Sequence, residues 1–321
     1  MILEYALEVL KDVKSDARTD VAAWRRGMLD TVMMALPGDF VALKWSGMGP
    51  AALRLCAARQ PPSESMDEAM KAVCDAAAAK GVSLLPSAEE NWNLAGYHDW
   101  TLSLQRRYNR NGTAVIYNTY QCYLKSVSAT LAQHLDTARQ EGFTLGVKLV
   151  RGAYLGSEDR GLIHPTIEAT HSSFDGVMSA LIERKHNSVL KPASAPLDSS
   201  WPEVNVMVAT HNAESVQLAQ RLRAERARQG LEMTPLAFAQ LQGIADEVSC
   251  ALLASAKGKA GPEGTPKARV FKFTSWGTLT ECLNYLLRRL AENKDAATRT
   301  AGTNRAMAEE MMRRIRQTLR L

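Results

Sequence analysis

Leu145-Gly146-Val147-Lys148-Leu149-Val150-Arg151 is the stretch on which the fold turns. It is a short apolar, β-prone run broken only by two cations, and it reads as a buried strand. Strand alternation sends Lys148 and Val150 to one face and Leu149 and Arg151 to the other. Seven similar runs recur along the chain at intervals of roughly 30–50 residues, at Met1–Tyr5, Phe40–Ser46, Val82–Ser87, Ala114–Asn118, Val204–Thr210, Leu236–Leu241 and Arg269–Phe273. Helical patterns separate them. Eight strands alternating with helices predict an α/β protein, a (β/α)8 barrel. A doubly wound open sheet is the alternative, and it is disfavoured because no GxGxxG follows the first strand. The expected organisation is a single barrel domain over 1–299 and a basic helical tail over 300–321.

The chain has 321 residues, 46% of them hydrophobic and 23% charged, enough for a sizeable core. A net charge of +5 is spread without basic blocks or interleaved aromatics, so no nucleic-acid partner is expected. The five cysteines (Cys56, Cys74, Cys122, Cys250, Cys282) form no CxxC pair, which argues against a disulfide framework or a zinc ribbon. No apolar run approaches the ~20 residues that span a bilayer. The first strand begins at Met1 itself, so the expectation is that a preceding or targeting segment was removed or that the chain was cut there. Lys185–Pro202 and Ala256–Lys267 are rich in small residues and Pro or Gly, and read as mobile surface loops.

Barrel active sites form at the C-terminal ends of the strands. Here those ends are polar: Lys44 after the second, Ser87-Ala88-Glu89-Glu90 after the third, Asn118 through Tyr123 after the fourth, Arg151 to Tyr154 after the fifth, Thr210-His211-Asn212 after the sixth, and Gln240 to Gly243 after the seventh. A single mid-strand lysine such as Lys148 is ordinarily a snorkelling side chain. Lys44, Lys148 and Arg151, joined by the adjacent Arg288 and Arg289, make a set of cations that converges on one mouth and calls for an anionic ligand. The acids nearby (Glu4, Glu8, Glu89, Glu90) do not balance them. In Tyr285–Asn293 (YLLRRLAEN), the i,i+4 spacing puts Arg288 and Glu292 on one helix face. A solvated amphipathic helix with one salt bridge is the ordinary alternative for that segment. His211 alone reads as a core histidine. Together with Gln121 and Asn212 it supplies donors and acceptors that suit the edge of a heterocycle. Tyr154, Leu241 and Trp276 offer apolar walls. The chain has no HExxH and no His/Cys/Asp cluster at ligand spacing, so no metal site is expected. GxSxG and P-loop motifs are also missing.

Five segments carry a resemblance: NTYQCYLK at Asn118–Lys125, GVKLVRGAYL at Gly146–Leu155, ATHNA at Ala209–Ala213, QLQG at Gln240–Gly243 and YLLRRLAEN. Taken together, they resemble the proline dehydrogenase family in its eukaryotic, fungal-like form. That resemblance implies a (β/α)8 barrel that binds FAD non-covalently. The implied reaction oxidises L-proline to Δ1-pyrroline-5-carboxylate by hydride transfer to flavin N5, with electrons passed to a quinone or other acceptor. It also implies the roles of individual residues. Arg288 and Arg289 clamp the substrate carboxylate, Lys44 adds a third positive contact, and Lys148 sits close to flavin N5. Gln121, Arg151, His211, Asn212 and Glu292 line the flavin. Tyr154, Leu241 and Tyr285 form the pocket walls. Glu8 falls where the family keeps a glutamate that pairs with Arg289. A mitochondrial location follows by the same resemblance, and the basic tail (Arg313, Arg314, Arg316, Arg320) offers a surface for peripheral contact with anionic lipid.

The chain departs from the family pattern at two positions. Ser87 stands where an aspartate beside the flavin is usual. Phe273 stands where a tyrosine usually covers the substrate, so the ring is kept and its hydrogen bond is lost. The second change points to hydroxyproline or pipecolate as alternative substrates. Both changes leave open a catalytically degenerate flavin- or imino-acid-binding homologue. A barrel that binds a phosphate-bearing ligand at its basic mouth is a more distant alternative.

Overall fold

The computed structural model of the protein describes residues 1–6, 16–194, 200–257, 267–292 and 301–319, the side chains of 256, 257, 288–292, 301–304 and 306 lying outside that description. The chain runs β1 (Ile2–Tyr5), α1 (Ala17–Met34), β2 (Phe40–Leu43), a 3-10 turn (Trp45–Met48), α2 (Pro50–Ala57), α3 (Glu64–Lys80), β3 (Ser83–Pro86) and α4 (Asn91–Tyr108). It continues through β4 (Asn118–Gln121), α5 (Val127–Glu141), β5 (Leu145–Val150), α6 (Ile167–Glu183), β6 (Val204–Ala209) and α7 (Ala213–Arg228). Then come β7 (Leu236–Leu241), α8 (Asp246–Lys257), β8 (Arg269–Trp276), α9 (Leu279–Glu292) and α10 (Ala301–Leu319), which touches α8. Helix starts follow side-chain caps: Asp16 accepts from the Thr19 amide, Ser63 from Met66, Thr166 from Ala169 and Asn212 from Ser215.

The eight described strands pair in parallel in the order β3-β2-β1-β8-β7-β6-β5-β4. A single backbone bridge, Leu84 to Ile116, closes the seam between β3 and β4. The (β/α)8 expectation therefore holds. Strand alternation separates two kinds of core. Ile2, Phe40, Ala42, Leu85, Met207, Ala237, Ala239 and Phe271 fill the barrel lumen. The outward set packs under the helices in two groups. In the first, Val147, Leu149, Val206, Val208 and Phe238 lie against Phe174, Val177 and Leu181. In the second, Val41, Leu43 and Leu84 lie against Trp24, Met28, Met70 and Trp100.

The fourth strand departs from expectation. The apolar run Ala114–Asn118 is largely irregular, and β4 begins only at Asn118. Its backbone is held by side-chain amides in place of a ladder. Asn109, fully buried, donates from Nδ2 to the carbonyls of Ile116 (2.7 Å) and Thr144 (3.0 Å). Its Oδ1 accepts from the amides of Val115 (2.8 Å) and Ile116 (3.0 Å). Asn205 Oδ1 accepts from the Ala114 amide at 3.0 Å. The segment presses so closely on β5 that a Cβ on Gly146 would lie 2.4 Å from the Ile116 carbonyl oxygen, so only glycine fits there.

Three smaller differences concern strand ends and a loop. The second strand stops at Leu43 because the backbone turns into the 3-10 segment after Lys44. The eighth strand runs on to Trp276. The segment after α6, expected as a surface loop, is anchored in its described part. Leu190 is fully buried, and Ser194 binds Asp136 through both its amide and its hydroxyl. Most of the Gly/Lys/Pro stretch 256–267 lies outside the described residues, as does Glu8.

Asn109→Ala strips four backbone groups, three of them buried, of this partner at once. At roughly 1–3 kcal/mol for each buried group left unpaired, partly offset by water, the expected loss is about 4 kcal/mol, read as a lower urea midpoint at unchanged slope.

Candidate active site at the C-terminal mouth of the barrel

Lys148 sits in the middle of β5 and is 7% exposed. Alternation aims it into the lumen, where its Nζ lies 5.8 Å from the centroid of the Phe273 ring. Burial lowers its pKa to about 8, with the Glu4 carboxylate acting upward and Lys44 downward. Lys44 follows β2 directly, and its Nζ lies 5.9 Å from the centroid of the buried Tyr285 ring on α9. The two lysines and two aromatic rings, from the exit of β2 and from β5, β8 and α9, therefore share one mouth; of the cations expected there, Arg151 lies elsewhere and the side chains of Arg288 and Arg289 are outside the described residues.

Lys44 is held through its backbone. Its carbonyl accepts from Trp24 Nε1 (3.0 Å) and from the Gly47 amide (3.2 Å). Ser87 is tied to the same turn, its amide donating to the Leu43 carbonyl at 2.8 Å. Gln121, at the end of β4, is buried and donates from Nε2 to the Glu89 carbonyl at 2.9 Å.

Sequence reasoning did not anticipate the part Glu89 plays. Its buried carboxylate accepts from Ser46 Oγ at 2.6 Å and from Tyr97 OH at 2.7 Å. Through Ser46, Glu89 and Gln121 it ties together the exits of β2, β3 and β4. An acid after a strand end is legible in sequence, but its partners come from two other segments and are not.

Arg151 lies on the opposite face from Lys148, as alternation demands. Its guanidinium donates to His171 Nδ1 (2.8 Å), Thr210 Oγ1 (2.6 Å) and Ser215 Oγ (2.8 Å), and it stacks 4.2 Å from the Phe174 centroid. Ser215 passes the contact on to Asp175 at 2.5 Å. Desolvation lowers the arginine's pKa from its ordinary value. Asn212 spends its side-chain oxygen on the cap of α7, accepting from the Ser215 amide at 2.9 Å. His211 is exposed, and its Nε2 accepts from the Leu241 amide at 3.0 Å, joining the exits of β6 and β7. These three residues stand beside the N-terminus of α7, away from the lumen cations. Tyr154 is half-buried in the loop after β5, and Leu241 ends β7 in register with Phe273.

The backbone of α9 places residues 288, 289 and 292, while the side chains of Arg288, Arg289 and Glu292 lie outside the described ones. The start of that helix is pinned. Glu281 Oε2 accepts from the Thr278 amide at 2.7 Å, and Glu281 Oε1 accepts from Tyr5 OH at 3.2 Å. Tyr5 stacks on Trp276, whose Nε1 reaches Thr31 Oγ1 of α1 at 3.1 Å. Trp276, expected as a wall of the pocket, serves instead in this anchor.

A lysine with a pKa pulled from 10.5 to about 8 is a burden on the fold at neutral pH. Below about 8 the native state must carry the buried charge. Between about 8 and 10.5 the unfolded chain binds the extra proton, so stability rises with pH across that window. Lys148→Met is expected to stabilise the protein at pH 7 by on the order of 3 kcal/mol. The gain should shrink as pH approaches 10.5, measured by urea unfolding of each variant at a series of pH values.

The chain matches a family model described as "Proline dehydrogenase" over residues 3–302. It is 35% identical over 250 residues to a Schizosaccharomyces pombe protein named "Probable proline dehydrogenase, mitochondrial", covering 76% of this chain and 49% of that protein. Against human "Proline dehydrogenase 1, mitochondrial" it is 32% identical over 260 residues, 78% of this chain and 39% of the other. Against mouse "Hydroxyproline dehydrogenase" it is 32% identical over 256 residues, 76% of this chain and 50% of the other. The chain thus spans half or less of the length of these relatives. Among solved structures, proline utilization A (PutA) from Bdellovibrio bacteriovorus superposes with a TM-score of 0.67 at 17% identity, over 91% of this chain and 29% of that one, a likeness of fold. The family match runs from the first strand past the helix of Arg288 and Arg289 and so takes in every strand of the barrel: the chain belongs to the proline dehydrogenase family.

Proposed function

We propose that this chain catalyses the FAD-dependent oxidation of L-proline, or of a closely related cyclic imino acid, to the corresponding ring imine. The observation that carries this reading is the pair of lysines converging on one barrel mouth, with Lys148 buried, in a chain of this family. Two cations aimed into a lumen suit a ligand that brings negative charge.

The donor set fits a flavin dinucleotide. Lys148 presents a desolvated cation where a flavin ring would need one. Gln121 Nε2 is committed to the Glu89 carbonyl, and its amide oxygen accepts from no described residue. The N-terminus of α7, flanked by Arg151, His211 and Asn212, suits the phosphate and adenosine portion. When bound, FAD supplies the hydride acceptor, and reoxidation passes the electrons to a quinone or other acceptor. In this reading the protein's own residues do the positioning. Lys44, with Arg288 and Arg289, holds the substrate carboxylate. Tyr285, Leu241, Tyr154 and Phe273 close around the ring, fix the carbon next to nitrogen and keep water out. Glu8 pairs with Arg289, and Glu292 faces the cofactor. By likeness to its named relatives, the protein belongs in the mitochondrion, and α10 with its basic residues offers the surface for peripheral contact with anionic lipid.

A second reading is favoured by Phe273, whose ring lies under Lys148 and in register with Leu241. A phenyl face in place of a hydroxyl changes what a substituted ring meets, so hydroxyproline or pipecolate becomes the preferred substrate. The degenerate homologue is the outcome if no ring compound reacts.

The test is an absorbance spectrum of the purified, FAD-loaded protein, followed by anaerobic titration. Flavin bands that bleach on adding L-proline are the expected result, and bands that no cyclic imino acid bleaches overturn the proposal. Phe273→Tyr is expected to change the ratio of kcat/KM for proline over hydroxyproline by about 10-fold or more, the scale of a single pocket contact. Ser87→Asp is expected to alter the rate of flavin reduction with little effect on KM.

A further inference from the structure

Glu4 is an acid in a place where carboxylate binding alone gives it no use. It lies on β1 two residues after Ile2, which belongs to the lumen cluster, so alternation turns Glu4 into the lumen as well. In register it stands between Ala42 of β2 and Ser275 of β8, one step up from the level of Phe273. Its side chain is 4% exposed and makes neither a hydrogen bond nor an ion pair with any described residue. Its charge is nevertheless felt across the lumen at Lys148, where Lys44 acts too.

A site built only to hold a carboxylate would be weakened by an anion placed among its cations. A cyclic imino acid is a zwitterion, however. At neutral pH its ring nitrogen is a secondary ammonium, separated from the carboxylate by one carbon. We infer that Glu4 recognises this ring ammonium and so is the residue that makes the site selective for zwitterionic imino acids over plain carboxylates. The inference rests on the function proposed above. The carboxylate lies toward Lys44 and α9, and the ammonium donates toward β1. Two oppositely charged anchors on different strands also fix which ring carbon faces Lys148, which a carboxylate clamp alone does not do.

The experiment compares two ligands on the full, FAD-loaded chain: L-proline as substrate and tetrahydro-2-furoate as inhibitor. The second has the same ring and carboxylate, with an ether oxygen where proline has its ammonium. Glu4→Gln is expected to raise KM for L-proline by about 10–100-fold, the range of one charge-assisted hydrogen bond. The inhibition constant of tetrahydro-2-furoate should stay unchanged or fall, because removing an anion leaves the cations freer to hold the carboxylate. Opposite responses of the two ligands support the assignment. A parallel weakening of both overturns it, since a Glu4 that only packs, or only holds an arginine of the clamp, would affect both alike. A KM within about twofold of the parent's also overturns it. Should Glu4→Gln not fold, Glu4→Asp decides by the same ratio: a shorter carboxylate weakens proline and spares the ether, and equal effects overturn the assignment. A parent protein that neither oxidises proline nor is inhibited by the ether overturns the function beneath this inference and the inference with it, whereas a parent that does both confines any failure to Glu4.

Discussion

Closure of the barrel between β3 and β4 is the constraint on which the remaining architecture depends. A parallel barrel of eight strands has no edge only if its first and last neighbours in pairing order meet. Here they meet through one backbone bridge, joined by Ser83 Oγ donating to the Ala114 carbonyl and Thr119 Oγ1 to the Pro86 carbonyl, while Asn109 and Asn205 hold the irregular segment before β4 from elsewhere. Both amides are buried, and each is satisfied on its donor and acceptor sides. Gly146 lets the irregular strand approach close enough to be gripped. With the seam shut, the exits of all eight strands face one mouth. Side chains as far apart in sequence as Lys44 and Lys148 can then act on a single ligand.

Much of this was legible in the sequence because it depends on period and order. The spacing of the apolar runs fixed the fold class, and alternation alone separated Lys148 from Arg151. What could not be read depended on contacts between distant segments. Ala114–Asn118 looks like a strand because it is apolar and β-prone. It lacks a strand's regularity because Asn109 and Asn205 satisfy its backbone from elsewhere. Trp276 has the composition of a pocket wall, yet Thr31 and Tyr5 draw it into the anchor of α9. Glu4 was readable by the parity that places Ile2 in the lumen. Counted only as partial balance for the cations, it carried no role of its own.

The electrostatics of the mouth show how a binding site trades against stability. Lys148 is held in an apolar lumen with its charge disfavoured, and Glu4 is buried with no hydrogen bond or ion pair among the described residues. The buried lysine is a cost to the fold, and both groups attract a ligand of the right charges. Glu89 works differently: each of its carboxylate oxygens accepts a hydroxyl, from Ser46 and from Tyr97, so its energy goes into fixing three strand exits in place. One part of the site is tense and the other rigid, and the second keeps the first from collapsing onto itself.

The anchor between Tyr5 and Glu281 joins residues 276 positions apart, and β1 pairs directly with β8. The first strand of the barrel to be made is therefore the one whose neighbour is the last strand of the barrel. Until β8 appears, β1 has one side unpaired and the lumen is open along its length, with Phe40 and Ala42 facing water. Long-range pairing of this kind is slow, and it exposes unpaired strand edges while it waits. Until then the mouth lacks Phe273 and Tyr285, which arrive with β8 and the helix after it. A complete mouth around the two lysines is thus withheld, by topology alone, until the last strand of the barrel is in place.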